Sequence, residues 1–337
     1  QDPSIVILDE PTSSLSDHEI NNLFHIIKTL KAKGVTFIYV SHRMEEIKRI
    51  GDRATIFRDG ALTGEIDDCK KADMDQVINM IVGRTLDEKF PHRESHIGEV
   101  ALEVDDFQIP NTIYDISFKV HKGEVLGFSG LVGSGRTSTA KAIIGAIPRT
   151  CGTIKIDGKP VKINNPSDAI ACGIGYLPED RKYEGLLLTK TVKENISLPS
   201  LRRKFSRGIV INSRKERDSA EEYKEKLRIK TPSINRMTKF LSGGNQQKVV
   251  FAKWLCSEAN IYIFDEPTRG IDVGAKSEIY QIINDLVAQG AAVIVISSEL
   301  PEILGICDRV IVMRDGRITA NIDRADATQE KIMSYSI

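Results

Sequence analysis

The chain has 337 residues, of which 41% are hydrophobic and 28% are charged, so it can bury a full core and has room for more than one domain. Its formal net charge of zero argues against the basic footprint of a nucleic-acid-binding protein, and its five cysteines form no C-x-x-C pair. No apolar run reaches the ~18 residues of a membrane span. We therefore expect no nucleic-acid partner, no structural metal, and membrane association only through a partner protein.

The chain begins with alternating strand-like and helix-like segments. Residues 5–8 form an apolar run that ends in Asp9 and Glu10, as is typical of a buried strand. A helix-patterned segment over about 16–33 follows, and a β-branched run over 35–40 comes next. This order predicts a parallel α/β sheet.

The sequence near the start of the chain recurs near its other end. Residues 261–268 repeat residues 5–12 at an offset of 256, and the match continues without a gap to the Arg-Asp-Gly turn at 314–316. A repeat unit this long indicates a duplicated domain rather than a solenoid. The predicted domains are the C-terminal part of a truncated first domain over 1–85, a linker over 86–97, and a complete second domain over 98–337.

The predicted second domain contains strands, a charged insertion and two glycine-rich segments. Two pairs of segments alternate like antiparallel strands: 100–104 with 113–120, and 152–156 with 161–163. Residues from about 180 to 255 are rich in charged side chains at helical spacing, which predicts a helical insertion with one helix over 213–227. The insertion ends in LSGGNQQK at 241–248.

The segment GLVGSGRTS at 130–138 lies between a strand-like run and a helix-compatible run. It matches the phosphate-loop template G-x-x-x-x-G-K-[ST], except that Arg136 replaces the lysine. Glycines allow successive backbone N–H groups to converge on a phosphate, and the helix adds the positive end of its dipole. A plain strand-to-helix turn is the alternative. The residues predicted to bind nucleotide are Gly130, Gly133, Ser134, Gly135, Arg136, Thr137 and Ser138.

Two further motifs could complete the chemistry. Asp265 ends a buried strand and is suited to hold Mg²⁺ together with the hydroxyl of Thr137 or Ser138, and Glu266 could polarise a water aimed at the γ-phosphate. Ser242, Gly243 and Gly244, followed by Gln246, form a second anion site at a helix start, which cannot serve the same phosphate. Two such sites imply a dimer with nucleotide between its halves. An acidic turn and a glycine-rich helix entry are the respective alternatives.

The motifs GLVGSGRT, LSGGNQQK and DEPTRGID, in this order, resemble an ABC-type ATPase domain. The duplicated arrangement is similar to the ATP-binding subunit of bacterial monosaccharide importers of the ribose and galactose type, over essentially the whole chain. The resemblance implies an α/β P-loop NTPase fold, with a RecA-like parallel sheet core, an antiparallel β subdomain and a helical subdomain over about 180–255. It also implies ATP and Mg²⁺ as cofactors and ATP hydrolysis as the activity.

The resemblance assigns roles by position in the first copy, where Asp9 and Glu10 are the Walker B pair and His42 is the switch histidine. In the second copy, Glu179 stands where the family has a glutamine that faces Mg²⁺ and the membrane partner, and Ser298 replaces the histidine. With Arg136, these departures predict a second site that binds nucleotide and turns over slowly. The composite site of the first-copy residues with the LSGG segment is the one expected to hydrolyse ATP.

The resemblance further implies transmembrane permease subunits as partners, an extracytoplasmic sugar-binding protein as an indirect partner, and a peripheral location on the cytoplasmic face of the membrane. The missing first-domain segment, or a second copy, would be needed to complete the composite sites, so the isolated chain is expected to be weak or inactive. A soluble tandem ABC ATPase and a catalytically inactive nucleotide-binding assembly module are the alternatives. Phe107 and Tyr114 flank the adenine region, and core packing is predicted for both.

Overall fold

The structure is a computed structural model that describes residues 3–12, 17–41, 44–58, 61–72, 90–91, 93–208, 210–271 and 273–337. The predicted switch residue His42 lies outside these residues. The chain divides into two compact units, residues 1–89 with 272–277 and residues 90–271 with 278–337. Among the described residues, no helix combines the length and the apolar character needed to cross a membrane.

The first unit is a small α/β arrangement. Its elements are β1 (Ile5–Asp9), α1 (Asp17–Ala32), β2 (Thr36–Val40), α2 (Met44–Ile50), β3 (Ala54–Arg58) and β4 (Ala61–Ile66). Strands β1 and β2 pair in parallel, and β3 and β4 form an antiparallel hairpin. The core consists of Ile20, Phe24 and Ile27 of α1, packed against side chains of the two parallel strands. The predicted order of strand, helix and strand is confirmed.

Two sheets form the second unit. The antiparallel sheet has the order β6 (Ile113–His121), β5 (Val100–Ile109), β8 (Cys151–Ile156), β9 (Lys159–Val161). The six-stranded sheet has the order β10 (Ile174–Leu177), β13 (Ile261–Asp265), β14 (Ala292–Ile296), β7 (Val125–Gly130), β15 (Arg309–Arg314), β16 (Arg317–Asp323). Its first five strands are parallel. Every residue of β13 and β14 is buried, because a parallel sheet is covered on both faces.

The helices of the second unit include the segment predicted as a helical insertion. They are α3 (Arg136–Ile143), α4 (Pro166–Ala171), α5 (Val192–Ser197), α6 (Ser213–Lys226), α7 (Gly243–Leu255), α8 (Val273–Ala288), α9 (Leu300–Ile306) and α10 (Gln329–Ser336), and the first residues of α8, up to Ser277, belong to the first unit. A two-stranded hairpin of β11 (Ser206–Arg207) and β12 (Val210–Ile211) interrupts the insertion. Gly208, with φ +62°, helps to reverse the chain there.

The sequence repeat has a structural counterpart. Asp9 pairs with Val40 in the first unit, and Asp265 pairs with Ile296 in the second, at the same offset of 256. The β3–β4 hairpin of the first unit and the β15–β16 hairpin of the second unit each carry a register shift at equivalent positions. In the first unit the shift lies between Ile56 and Phe57. Each unit also buries an equivalent threonine-to-glutamate hydrogen bond, Thr12 to Glu46 at 2.7 Å and Thr268 to Glu302 at 2.9 Å. These matches support the duplication, and the domain boundaries stay predictions.

Part of the predicted linker packs against the second unit. The Phe90 ring lies 5.2 Å from the ring of Tyr280, and Arg93 forms an ion pair of 2.6 Å with the buried Asp308. The Asn284 amide donates to the carbonyl of Pro91 at 2.9 Å. Packing of residues 90–91 and 93 therefore fixes the chain shortly before β5.

Candidate nucleotide site

The loop from Gly130 to Gly135 joins the buried strand β7 to α3. Gly130, Gly133 and Gly135 all have positive φ, a conformation that side chains with a Cβ rarely adopt. A Cβ on Gly130 would also lie 2.2 Å from the carbonyl oxygen of Met313. The loop therefore requires glycine at these positions, and its backbone leads directly into the helix N-terminus.

Arg136, the first residue of α3, is buried between the loop and the end of β14. Its Nη1 donates to the carbonyl oxygen of Ser297 at 2.7 Å. Burial lowers the pKa of Arg136, and the negative charges of Glu266 and Asp265 oppose this shift. The guanidinium thus lies close enough to both carboxylates to compensate their charge.

Asp265 ends β13 and is completely buried. The hydroxyl of Tyr176 donates to its Oδ2 at 3.1 Å. Burial raises the pKa of Asp265, whereas the nearby hydroxyls of Thr137 and Tyr176 and the charge of Arg136 lower it. The structure therefore brings Asp265 and Thr137 together, as a shared metal site requires.

Glu266 follows with φ +48°, and the equivalent Glu10 in the first unit has φ +42°. The Ser298 hydroxyl donates to Oε2 of Glu266 at 3.2 Å. Burial raises the pKa of Glu266 to about 7, against the opposing charge of Arg136. A carboxylate with this pKa can accept a proton from water at neutral pH.

Two buried polar atoms of this site, Ser134 Oγ in the loop and Asp265 Oδ1, are among those for which the described part of the chain offers no hydrogen bond. Buried polar groups are normally paired, because an unmade hydrogen bond costs about 1–3 kcal/mol. A phosphate oxygen could pair with the serine hydroxyl, and a hard cation such as Mg²⁺ with the carboxylate oxygen. The donor set therefore fits a magnesium-bound nucleotide.

The LSGG segment begins α7 with Ser242 as its N-cap. The exposed Ser242 hydroxyl accepts a hydrogen bond of 2.9 Å from Asn245, and Gly243 and Gly244 form the first turn. Gln246 is buried, and its Nε2 donates to the carbonyl of Thr238 at 3.1 Å. This side chain fixes the helix start, and its predicted contact with nucleotide stays a prediction.

Two side chains lie in unexpected environments. Glu179, predicted to face Mg²⁺, forms an ion pair with Arg269. The prediction of core packing is confirmed for Phe107, which is fully buried, and is wrong for Tyr114, which is 36% exposed under the guanidinium of Arg317. Strand β6 presents Tyr114 to solvent because its buried positions are taken by residues such as Ile113 and Ile116.

The sequence analysis assigned no role to Tyr176 or Ser297, although both lie at the ends of apolar strands.

The fold is the P-loop α/β fold of ATP-binding cassettes. Solved ATP-binding cassettes share the fold. One, a nucleotide-free cassette from an ABC transporter, has a TM-score of 0.61 at 20% identity over 71% of this chain and 99% of its own. The cassette MJ1267 has a TM-score of 0.62 at 21% identity over 71% of this chain and 100% of its own.

Residues 113–269 match the family model described as ABC transporter. The chain is 48% identical over 333 residues to the ribose import ATP-binding protein RbsA of Clostridium perfringens, and 47% identical over 333 residues to that of Clostridium tetani. Each alignment covers 99% of this chain and 66% of the relative, so the chain spans just under two thirds of their length.

Proposed function

We propose that the chain is part of the ATP-binding subunit of a monosaccharide importer and that it supplies energy by binding and hydrolysing ATP. The observation that carries the proposal is the convergence of Arg136, Thr137, Asp265 and Glu266 at the end of a glycine-rich loop. The high identity to ribose import ATP-binding proteins supports the transport role. The identity of the sugar is not fixed by these residues, because it would contact the permease and binding protein.

ATP would bind with its phosphates on the loop amides and on Arg136, Ser134 and Ser138. Thr137 and Asp265 would hold Mg²⁺, which neutralises phosphate charge. Tyr114 directly follows Ile113, whose side chain lies beside Gly135 of the loop, so the exposed ring of Tyr114 is suited to stack on the adenine.

Fast hydrolysis is proposed for the composite site formed by Asp9, Glu10 and His42 with the LSGG segment. The site with Arg136 would turn over slowly. The bond from its guanidinium to the Ser297 carbonyl supports this difference, because it commits one of the guanidinium donors to the protein and leaves fewer for a phosphate. Ser298 also replaces the switch histidine, and its hydroxyl is a smaller polar group than an imidazole. A purely nucleotide-binding role for this site is the second candidate, favoured by the same bond.

A surface on the helical insertion is suited to a permease. Leu187, Met237 and Phe240 are exposed large apolar side chains on two hydrogen-bonded segments, since Thr238 donates to Leu187. Arg236 and Lys239 lie 5.1 and 4.9 Å from the Phe240 ring. Apolar side chains rimmed by cations are typical of a protein interface. This contact would place the chain at the cytoplasmic face of the membrane, with a sugar-binding protein as an indirect partner.

Two isosteric substitutions test the assignment in the complete transporter. We expect Glu10→Gln to lower sugar-stimulated ATP turnover by about a hundredfold or more, because it removes the proposed base. Glu266→Gln should leave most of the turnover. Loss of turnover with Glu266→Gln alone would reverse the assignment, and an unaffected rate in both variants would remove the catalytic proposal. The 337-residue chain alone should turn over slowly, since it contains one phosphate loop and one LSGG segment.

A further inference from the structure

A short turn after β10 lies between the LSGG helix and the segment that follows Glu266. Arg181 begins a π-helical turn that ends at Gly185, and Asp180 caps it by accepting from the backbone N–H groups of Lys182 and Tyr183 at 2.9 and 3.1 Å. The turn is therefore locally ordered. Its first side chain, Arg181, is half-buried.

The Arg181 guanidinium binds two successive backbone carbonyls. Nη1 donates to Arg269 at 2.8 Å, and Nη2 donates to Gly270 at 3.2 Å. A Cβ on Gly243 would lie only 2.8 Å from Nη2 and 3.3 Å from the Gly270 carbonyl oxygen. The planar fork of an arginine can span both carbonyls, whereas a lysine ammonium is a single point. The first glycine of the LSGG helix thus packs directly on this contact.

Two further hydrogen bonds and an ion pair support the same arrangement. The buried Gln247 of α7 donates from Nε2 to the carbonyl of Pro267 at 2.7 Å. Glu179 adds an ion pair to Arg269. At the other end of the turn, Lys253 of α7 donates to the carbonyl of Gly185 at 3.0 Å. Gln247 therefore joins helix α7 directly to residues 267–270, and the turn that begins at Arg181 contacts both.

We propose that Arg181 is a positioning residue that sets the LSGG glycines relative to the segment after Glu266, and thereby sets the turnover rate of the site to which this LSGG contributes. The inference rests on the proposed function. Arg181 touches no reacting atom in this account. It acts through the placement of backbone N–H groups that would face a phosphate, where a shift of about 1 Å can cost about a hundredfold in rate.

The test uses the complete transporter and compares Arg181→Met with Lys182→Met. Lys182 is an exposed cation on the same turn, so the two substitutions remove the same charge. We expect Arg181→Met to lower kcat for ATP by about ten- to a hundredfold while KM changes less than about threefold. Arg181→Lys should restore little, since it cannot span both carbonyls, and Gln247→Leu should lower kcat in the same way. Lys182→Met should match the wild type.

The outcomes separate this inference from the proposed function. A wild-type transporter without ATP turnover would remove both. Normal wild-type turnover, with Arg181→Met indistinguishable from Lys182→Met, would overturn the inference alone. Equal losses of turnover, nucleotide affinity and thermal stability in Arg181→Met, all restored by Arg181→Lys, would also overturn it and assign Arg181 to folding.

Discussion

The buried site of Arg136 and Glu266 disfavours the charged form of both side chains, and the opposite charges of the two partly offset this cost. Burial lowers the pKa of Arg136 and raises that of Glu266 to about 7, and each charge opposes the shift of the other. A phosphate that bound the guanidinium would weaken its attraction to Glu266 and raise the pKa of Glu266 further. The carboxylate would then be protonated more often in the nucleotide-bound state. This competition is a physical reason why the site can bind nucleotide and still be slow.

We predict that Arg136→Ala weakens MgATP binding to the 337-residue chain by about tenfold or more, because a charged hydrogen bond contributes about 1.5–3 kcal/mol. Arg136→Lys should stay within about threefold of the wild type. Titration with a fluorescent ATP analogue measures both, since the chain contains a single phosphate loop. Lys162→Ala, which removes an exposed cation from the same unit, is the control. Equal affinities for Arg136→Ala and Lys162→Ala would exclude Arg136 from the nucleotide site.

Helix α7 illustrates what the sequence could and could not predict for an element. The sequence predicted a helix start at Ser242 and Gly243, and the structure has Ser242 as the N-cap and Gly243 as the first helical residue. The tertiary contacts of α7, such as those of Gln247 with Pro267, join residues that are remote in sequence and carry no local signal. The hairpin at Ser206–Ile211 was missed for a similar reason, because its strands have two residues each.

Near the end of α7, Lys253 is buried with a single hydrogen bond to Gly185, and burial lowers its pKa to about 8. The charged form is therefore disfavoured in the folded state, and the wild type should gain stability as pH rises from about 8 to 10.5. At pH 7 the lowered pKa of Lys253 corresponds to a loss of about 3 kcal/mol in the free energy of unfolding. Loss of the hydrogen bond offsets about 1 kcal/mol of it. We expect Lys253→Met to be about 1–2 kcal/mol more stable than the wild type at pH 7.

Denaturant unfolding at pH 7 and pH 9.5 measures this difference, which should shrink at the higher pH. The exposed Lys162→Met serves as the control and should change stability little at either pH. A Lys253→Met protein that is less stable than the wild type at pH 7 would show that the ammonium contributes favourably in its buried position.

At the scale of the whole chain, the repeat predicted the order and register of the strands in both copies. It could not predict their burial. Ile7 and Ile38 are opposite each other on β1 and β2 and are 67% and 51% exposed, whereas their counterparts Ile263 and Ile294 are buried in the six-stranded sheet. The same apolar alternation is thus exposed to solvent in the first copy and buried in the second. The difference depends on the elements that cover the sheet, which the strand residues do not encode.

The exposed face of the β1–β2 sheet, formed by Ile5, Ile7, Ile38 and Val40, should promote self-association of the 337-residue chain, because contiguous apolar surface is favourably removed from water. We expect the double variant Ile7→Lys and Ile38→Lys to shift sedimentation toward the monomer. Ile26→Lys alters an equally exposed apolar side chain on α1 and should leave the distribution unchanged. Sedimentation velocity at several concentrations measures the effect. If both variants sedimented like the wild type, the sheet face would not be the associating surface, and any association would have to involve other apolar side chains.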